Sequence, residues 1–534
     1  MEAETATDPI INAAADATAA VAEAASAGPV LDGALAIFGL IACLAFMVIG
    51  LRAVGAGRSN SDAYLVARNS MGVPSMVSTL VASLSGIWVL LSVPETYVYS
   101  GGLAAVIGYA VAQAAPMPLF ALFGARLRQL MPRGFSLVEF ARRRYGRALG
   151  WGVALVTAFY LWIYLTAELT AVGIAFEVSA GVNPAVAATV VAIATAAYAL
   201  RGGAVSSILT DRWQCIGLLL ITAILSVTVM YAVPWTSMQT AAAAEPAQFW
   251  PIGEGDTPWM AFRFGLVLVI ALVASNLFDQ SFWQRVFACR DGRTVWTSYL
   301  VASLIIAPII FLAGFGAAAA QAMGVMPEDG QAQAALFYLA KASLPTFGLW
   351  CLLGLGLLLV MSSVDSLIAG LVSLFATESR KLSPRTPMPK AIGWAQVIVC
   401  GIIVCALPIA AQGWSVLYLF LLADLVCAGV VVPLFAGLYV RSLPGWGAIV
   451  AAVAGVLCGL LYFPKPDWSP LFADMPKLGE TFIAGDLLTS FGLAILVSGI
   501  IALIIALITK ASSNYCFNPE SLSASEVENP EAAN

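Results

Sequence analysis

Between residues 31 and 508 the chain alternates apolar runs with short polar loops. The runs fall at 31–51, 73–97, 103–124, 151–176, 184–200, 204–232, 259–282, 295–319, 348–375, 392–411, 416–440, 446–463 and 487–508. A run of about 17–25 predominantly apolar residues crosses the hydrocarbon core of a bilayer as a helix. The pattern therefore predicts an all-α polytopic membrane protein with about thirteen transmembrane helices. Residues 1–30 are Ala-rich and acidic, with no Lys or Arg. That is the composition of a disordered tail; a signal peptide needs a positive region ahead of its apolar core. Residues 511–534 are polar and too short for a signalling or catalytic domain.

Charge sets the expected orientation. Of the 25 Lys and Arg, only Arg263, Lys341, Lys465 and Lys477 fall on one side of the membrane if the spans alternate; the rest share the other side. The positive-inside rule makes that other side cytoplasmic. A tail at 1–30 is then extracytoplasmic and the tail at 511–534 cytoplasmic, in a plasma (inner) membrane. Arginine clusters such as Arg142–Arg144 need no further role.

Three runs are interrupted by polar residues. In 348–375, Ser362, Ser363, Asp365 and Ser366 stand near the middle. A charge there costs about 2.5–3.5 kcal/mol on insertion scales. Spacings of three and four put Ser362, Asp365 and Ser366 on one helix face. Hydroxyl and carboxylate oxygens suit a small hard cation, while serines alone also serve close helix packing. The run at 73–97 holds the helix-weak Ala82-Ser83-Leu84-Ser85-Gly86, then Pro94 and Glu95. Five spans later, 259–282 holds Ala274, Ser275, Asn276, Asp279 and Gln280. Interrupted helices at matching positions in two halves point to a substrate site in an inverted-repeat transporter.

Composition removes most other classes. The 534 residues are 61% hydrophobic and 10% charged, against about 25% charged in soluble domains. There is no histidine, and the nine cysteines form no CxxC pair, so neither a nucleophile–base set nor a zinc cluster is expected. The chain is not expected to be an enzyme. A net charge of −5 with no basic domain argues against nucleic acid.

Several motifs, in order, resemble those of the sodium:solute symporters, which include sodium/proline, sodium/sugar and sodium/sialic acid carriers. Residues 62–70 (DAYLVARNS) resemble the family's YxxAxRS, and 135–146 (FSLVEFARRRYG) its TLPEFLxxRYG. Residues 202–211 (GGAVSSILTD) resemble GGLxAVxxTD, 279–285 (DQSFWQR) resemble DQxxWQR, and 361–366 (MSSVDS) resemble MSTxDS. The resemblance implies a leucine-transporter-type five-plus-five inverted repeat. Its parts would be a peripheral first helix (31–52), five-helix repeats at 73–232 and 259–440, and two peripheral helices at 445–510.

Residue by residue, the resemblance implies a sodium site from the carbonyls of Ala82, Ser85 and Leu359 and the hydroxyls of Ser362 and Ser363. Some members hold a second cation; its counterparts here are Asp211, Asp365 and Ser366. The alternatives are that Asp211 anchors a helix end near Arg212 and that Asp365 pairs with a cytoplasmic arginine. The solute would lie between the interrupted helices, lined by Ser83, Trp88, Ser275 and Asn276, with Tyr164, Glu168 and Asp424 further candidates. The sodium/proline carriers have Asp where this chain has Leu84, so proline is not implied. Residues 417–425, 430–433 and 444–447 are closer to the branch containing urea active permeases. With no Lys or Arg expected deep in these helices, a neutral or zwitterionic solute, urea or amino-acid-like, is the expectation. Sodium is the expected coupling ion. Proton coupling, or a transporter-like sensor acting through a partner protein, are the alternatives.

Overall fold

The computed structural model describes residues 31–57, 60–249, 257–326, 331–469, 471, 486–512 and 515–524. Helix α1 (Gly33–Gly57) leads through a short α2 (Ser61–Val66) to α3 (Val73–Leu84). Ser85 and Gly86 then leave helical geometry, at φ −105°, ψ 90° and φ −86°, ψ 174°. Serine competes for backbone hydrogen bonds and glycine has the weakest helix propensity of the non-proline residues, so this Ser-Gly pair is where the helix gives way. The chain resumes as a single 3₁₀ turn (Ile87–Leu90) and α4 (Ser92–Tyr99), bent by 53° from α3.

Helices α5 (Gly102–Ala114) and α6 (Pro116–Leu130) form one span, followed by the short α7 (Leu137–Tyr145). Ser136 caps α7 at Glu139 N (3.1 Å), and the Glu139 carboxylate returns to Phe135 N (2.9 Å). Next come α8 (Arg147–Ala180) and α9 (Pro184–Ala232). The expected spans 184–200 and 204–232 are joined in α9, with a break at Gly203 (φ +58°, ψ −154°). A β-carbon there would lie 2.3 Å from the Tyr64 carbonyl oxygen, so only glycine fits both the dihedral and the space.

After α10 (Trp235–Ala244), helix α11 (Thr257–Asn276) stops short of the expected end at 282. A turn at 277–279 separates it from α12 (Gln280–Ala288), which Asp279 caps at Ser281 N (2.7 Å). The rest comprises α13 (Gly292–Ala322), α14 (Ala335–Ser343), α15 (Thr346–Leu382), α16 (Met388–Ala410), α17 (Val416–Ala436), α18 (Gly445–Leu460) and α19 (Leu487–Ser512). Among the described residues, ten helices are long and apolar enough to cross a membrane, or eleven with α3 and α4 as one broken span. The break in α9 and the shorter α18, of 16 residues, account for the two further spans expected from the sequence.

Burial orders the layers. Helices α15 and α17 are 78% enclosed over their spanning windows, against 22%, 17% and 22% for α1, α9 and α16. The enclosed pair forms the centre, and the outer helices turn Ile41, Ile193 and Val397 outward. The two interrupted segments are tied together at one end. Asn69 N and Met71 N donate to Phe287 O and Ala288 O (both 3.0 Å), and Arg290 N donates to Met71 O (2.9 Å). Arg128 Nη1 reaches the carbonyls of Val286 (2.7 Å), Phe287 (3.1 Å) and Cys289 (2.8 Å). The segment at 515–524 docks near α7: Arg143 Nη1 donates to Leu522 O (2.8 Å), and the Arg144 guanidinium lies 4.3 Å from the Phe517 ring centre.

Candidate functional site

Both breaks face a small aromatic chamber. Trp88, just past the α3 break, and Ser275 and Asn276, at the end of α11, line it with Tyr109, Gln113, Tyr160, Tyr164, Phe420 and Asp424. The Trp88 ring stacks on Tyr109 (5.5 Å between centres) and meets Phe420 edge-on, and its Nε1 donates to Tyr164 Oη (2.9 Å). The chamber encloses about 20 Å³, room for about one water. It is lined by one carboxylate, Asp424, with Ser275 in the same wall, and by no basic residue. Gln113 Nε2 donates to Leu84 O (3.2 Å), partnering one carbonyl beside the break.

A wider cavity of about 590 Å³ lies further along the same helices. There α11 contributes Met260, Arg263 and Val267, and α17 contributes Leu417. Its rim carries Glu95, held by Ser415 Oγ (2.7 Å), and Asp486, paired with Arg263 (2.8 Å).

A buried polar cluster joins α3, α9, α12 and α15. Arg285, 2% exposed, points inward from α12. Its Nη2 lies 3.0 Å from Asp211 Oδ2, 2.5 Å from Ser83 Oγ and 2.8 Å from Ser366 Oγ. Its Nε donates to Thr79 Oγ1 (2.9 Å) and its Nη1 to Ser281 O (3.0 Å). Asp211 also accepts from Thr79 Oγ1 (2.5 Å) and, on Oδ1, from Ser362 Oγ (2.6 Å). Asp365 is held by hydroxyls alone: Ser207 (2.7 Å), Tyr198 (3.0 Å), Thr210 (3.2 Å) and Ser366 (3.2 Å). Hydrogen bonds of this kind satisfy a buried carboxylate. Arg285 pairs with Asp211, and Asp365 has hydroxyl partners only.

On the other side of the Ser362–Ser363 pair stands Glu168, fully buried in α8. Its Oε2 accepts from Ile87 N (3.0 Å), just beyond the α3 break. Ser363 lies beside the same carboxylate and bonds through Oγ to Leu359 O (3.1 Å). Gly356 of α15 packs on the break; a β-carbon there would meet Ile87 Cδ1 at 3.0 Å.

The residues named from the sequence divide accordingly. Trp88, Tyr164, Ser275, Asn276 and Asp424 share the aromatic chamber. Ser83 instead lies in the Arg285 cluster, and Glu168 lies against the break. Ala82 and Ser85, at the end of α3, and Leu359, Ser362 and Ser363, on α15, are all buried where those helices meet. Asp211, Asp365 and Ser366 share one cluster, but Arg285 occupies its middle. The expectation that no Lys or Arg lies deep in these helices is corrected by Arg285. The DQSFWQR motif is a short, fully buried helix, not a loop reaching the cytoplasm. Asp211 pairs with Arg285 and not with Arg212, which bonds to Ser75, and Asp365 has no arginine partner among the described residues. Tyr109, Gln113, Tyr160 and Phe420 were not foreseen; aromatic and amide residues in apolar runs carry no periodic mark of the face they serve.

Two discontinuous helices facing an enclosed chamber beside buried carboxylates and hydroxyls define a secondary transporter built around a central site. The profile of the sodium:solute symporter family matches residues 64–455, and the chain belongs to that family. Its sequence is 25% identical over 417 residues to the spermidine transporter DUR31 of Candida albicans, 76% of either chain. In structure it is similar to the substrate-bound, outward-open state of a Na⁺-coupled sialic acid symporter (TM-score 0.69, 16% identity, 89% of this chain and 98% of that one). It is also similar to the closed, bromovinylhydantoin-bound state of Mhp1, a nucleobase-cation-symport-1 transporter (TM-score 0.52, 12% identity, 86% and 98%). The fold is thus the leucine-transporter type, and the protein is a multi-pass membrane transporter.

Proposed function

We propose that this protein couples inward sodium movement to uptake of a small amino-bearing solute, cationic or zwitterionic, by alternating access. The observation that carries the solute class is the aromatic chamber with Asp424 as its one charge. A protonated amine gains from a carboxylate and from aromatic faces together. A permanently anionic solute finds no counter-charge there, because the guanidinium of Arg285 is already taken by Asp211 and three hydroxyls. The name of the Candida relative, a spermidine transporter, agrees with this preference.

Sodium is held by the carbonyls of Ala82, Ser85 and Leu359 and the hydroxyls of Ser362 and Ser363. An unwound segment frees carbonyls inside the bilayer, and a bound cation satisfies them. One such charge crossing 100 mV supplies about 2.3 kcal/mol, roughly fiftyfold accumulation before any sodium gradient. Sodium occupancy favours the outward-facing, solute-competent state, and inward release frees the solute. Arg285 is a fixed cation where some relatives would take a second ion, so one sodium per cycle is the expected stoichiometry. The protein would lie in the plasma (inner) membrane with its N-terminus outside and its C-terminus in the cytoplasm.

The test is uptake into proteoliposomes with sodium or potassium outside. The solute panel holds small amines, amino acids, polyamines, urea and a carboxylate. Amine accumulation that needs sodium, and that Ser362→Ala shifts to higher sodium without loss of folded protein, is the expected result. Uptake indifferent to sodium, or driven as well by a proton gradient alone, would overturn sodium coupling. Transport of urea or the carboxylate in preference to every amine would overturn the solute class.

A further inference from the structure

We infer that Glu168 is itself a ligand of the cation site and supplies its uncompensated negative charge. The inference rests on the sodium reading above and adds a residue from a third helix to the site.

Glu168 lies one helical turn beyond Tyr164, so the two residues share a face of α8. Tyr164 lines the aromatic chamber and Glu168 meets the backbone of the α3 break. One carboxylate oxygen, Oε2, is taken by Ile87 N at 3.0 Å. The other, Oε1, is buried with no hydrogen-bond partner. It rests directly on Gly86: a β-carbon added there would be 1.6 Å from it. Ser85 Oγ, in the same break, is also buried without a partner. The Ser363 hydroxyl stands beside the carboxylate, with its own proton directed to Leu359 O (3.1 Å). The α3 break thus carries the unpartnered Ser85 hydroxyl and meets the unpartnered Glu168 oxygen, with the Ser363 hydroxyl of α15 beside that carboxylate; all are hard oxygens of the kind a small cation takes.

Glu168 differs from Asp365, which also lacks a basic partner among the described residues but is bonded by four hydroxyls: Glu168 keeps one buried carboxylate oxygen without a hydrogen-bond partner. Each hydroxyl of the Ser362–Ser363 pair adjoins a carboxylate from a neighbouring helix: Asp211 on the Ser362 side and Glu168 on the Ser363 side. Asp211 has Arg285. Among the described residues no Lys or Arg pairs with Glu168. A buried carboxylate without a partner costs several kcal/mol, and a sodium ion at this point removes the deficit. The arrangement also links ion to solute. Gly86 touches the carboxylate, and Trp88, two residues on, forms a wall of the chamber and bonds to Tyr164.

The experiment is a sodium titration of the thermal midpoint of the purified full chain, with choline chloride holding ionic strength constant. No solute is added, so the readout is ion binding and not transport. The wild-type midpoint rises to saturation with sodium. Glu168→Gln, isosteric but neutral, melts near wild type in choline and needs at least about tenfold more sodium for half the shift, the scale on which metal-site partners act. Titrations of wild type and Glu168→Gln that superimpose would overturn the inference while leaving the sodium reading intact. A wild type that ignores sodium would overturn both. Should Glu168→Gln not fold, Glu168→Asp decides, because it keeps the charge but withdraws it by one methylene: a raised sodium requirement supports the assignment, and an unchanged one refutes it.

Discussion

Replacing Arg285 by methionine leaves Asp211 charged, buried and facing only hydroxyls. The separation of 3.0 Å corresponds to about 5–6 kcal/mol of Coulomb attraction at an effective dielectric near 20. Breaking buried pairs of this kind from one side costs about 3–5 kcal/mol, because the remaining charge loses its compensation. Asp211→Asn strands the guanidinium and should cost about the same. The double variant strands neither charge. If the two residues act as a pair, it should be no less stable than either single variant, with a coupling energy of about 3–5 kcal/mol. Equilibrium unfolding of the four proteins in mixed micelles measures the cycle directly. Losses that add to within about 0.5 kcal/mol, as for independent sites, would refute the pairing. In Arg285→Met the freed oxygens of Asp211, Thr79, Ser83 and Ser366 form a hard-ligand set, so its deficit should shrink in sodium and not in choline.

Asp424→Asn should raise the KM for amine solutes by about 10- to 100-fold, the worth of one charge-assisted hydrogen bond; proteoliposome uptake with an unchanged KM would remove Asp424 from the solute site. Gly86→Ala should displace the Glu168 carboxylate and abolish sodium-dependent uptake, checked by the same assay together with the sodium-induced shift in melting. Gly203→Ala combines a positive-φ conformation essentially reserved for glycine, costing about 1–3 kcal/mol, with a collision against the Tyr64 carbonyl, and should lower the melting midpoint with or without sodium. Cys516, exposed near the C-terminus, should react with a membrane-impermeant maleimide only after cells are permeabilised; labelling in intact cells would invert the proposed orientation.

The spans were legible because burial in lipid imposes one simple requirement, a sufficient length of apolar residues. The break at Ser85–Gly86 was legible for a related reason, since weak helix formers stand out in an apolar run. Arg285 was not. Its charge reads like a loop residue, and only the neighbouring helices show that α12 is buried on all sides. The clue was Asp211, a mid-span carboxylate that required a partner. Ser83 shows the limit of carrying a role along a motif: it sits on the interrupted helix just before the break, but on the face toward α15 and not toward the chamber. The aromatic walls from Tyr109, Tyr160 and Phe420 had no signature, because such residues serve a core and a binding chamber equally well.

The tie between the start of α3 and the end of α12 carries a mechanical implication. Three backbone hydrogen bonds and the Arg128 side chain join these segments at one mouth of the protein. Neither segment can swing there without the other, so the pivot for opening that mouth must lie elsewhere. The pair would travel as one rigid lever. The ion and the solute would be released when surrounding helices part from it, and a cross-link placed across the Met71–Cys289 contact would leave turnover intact.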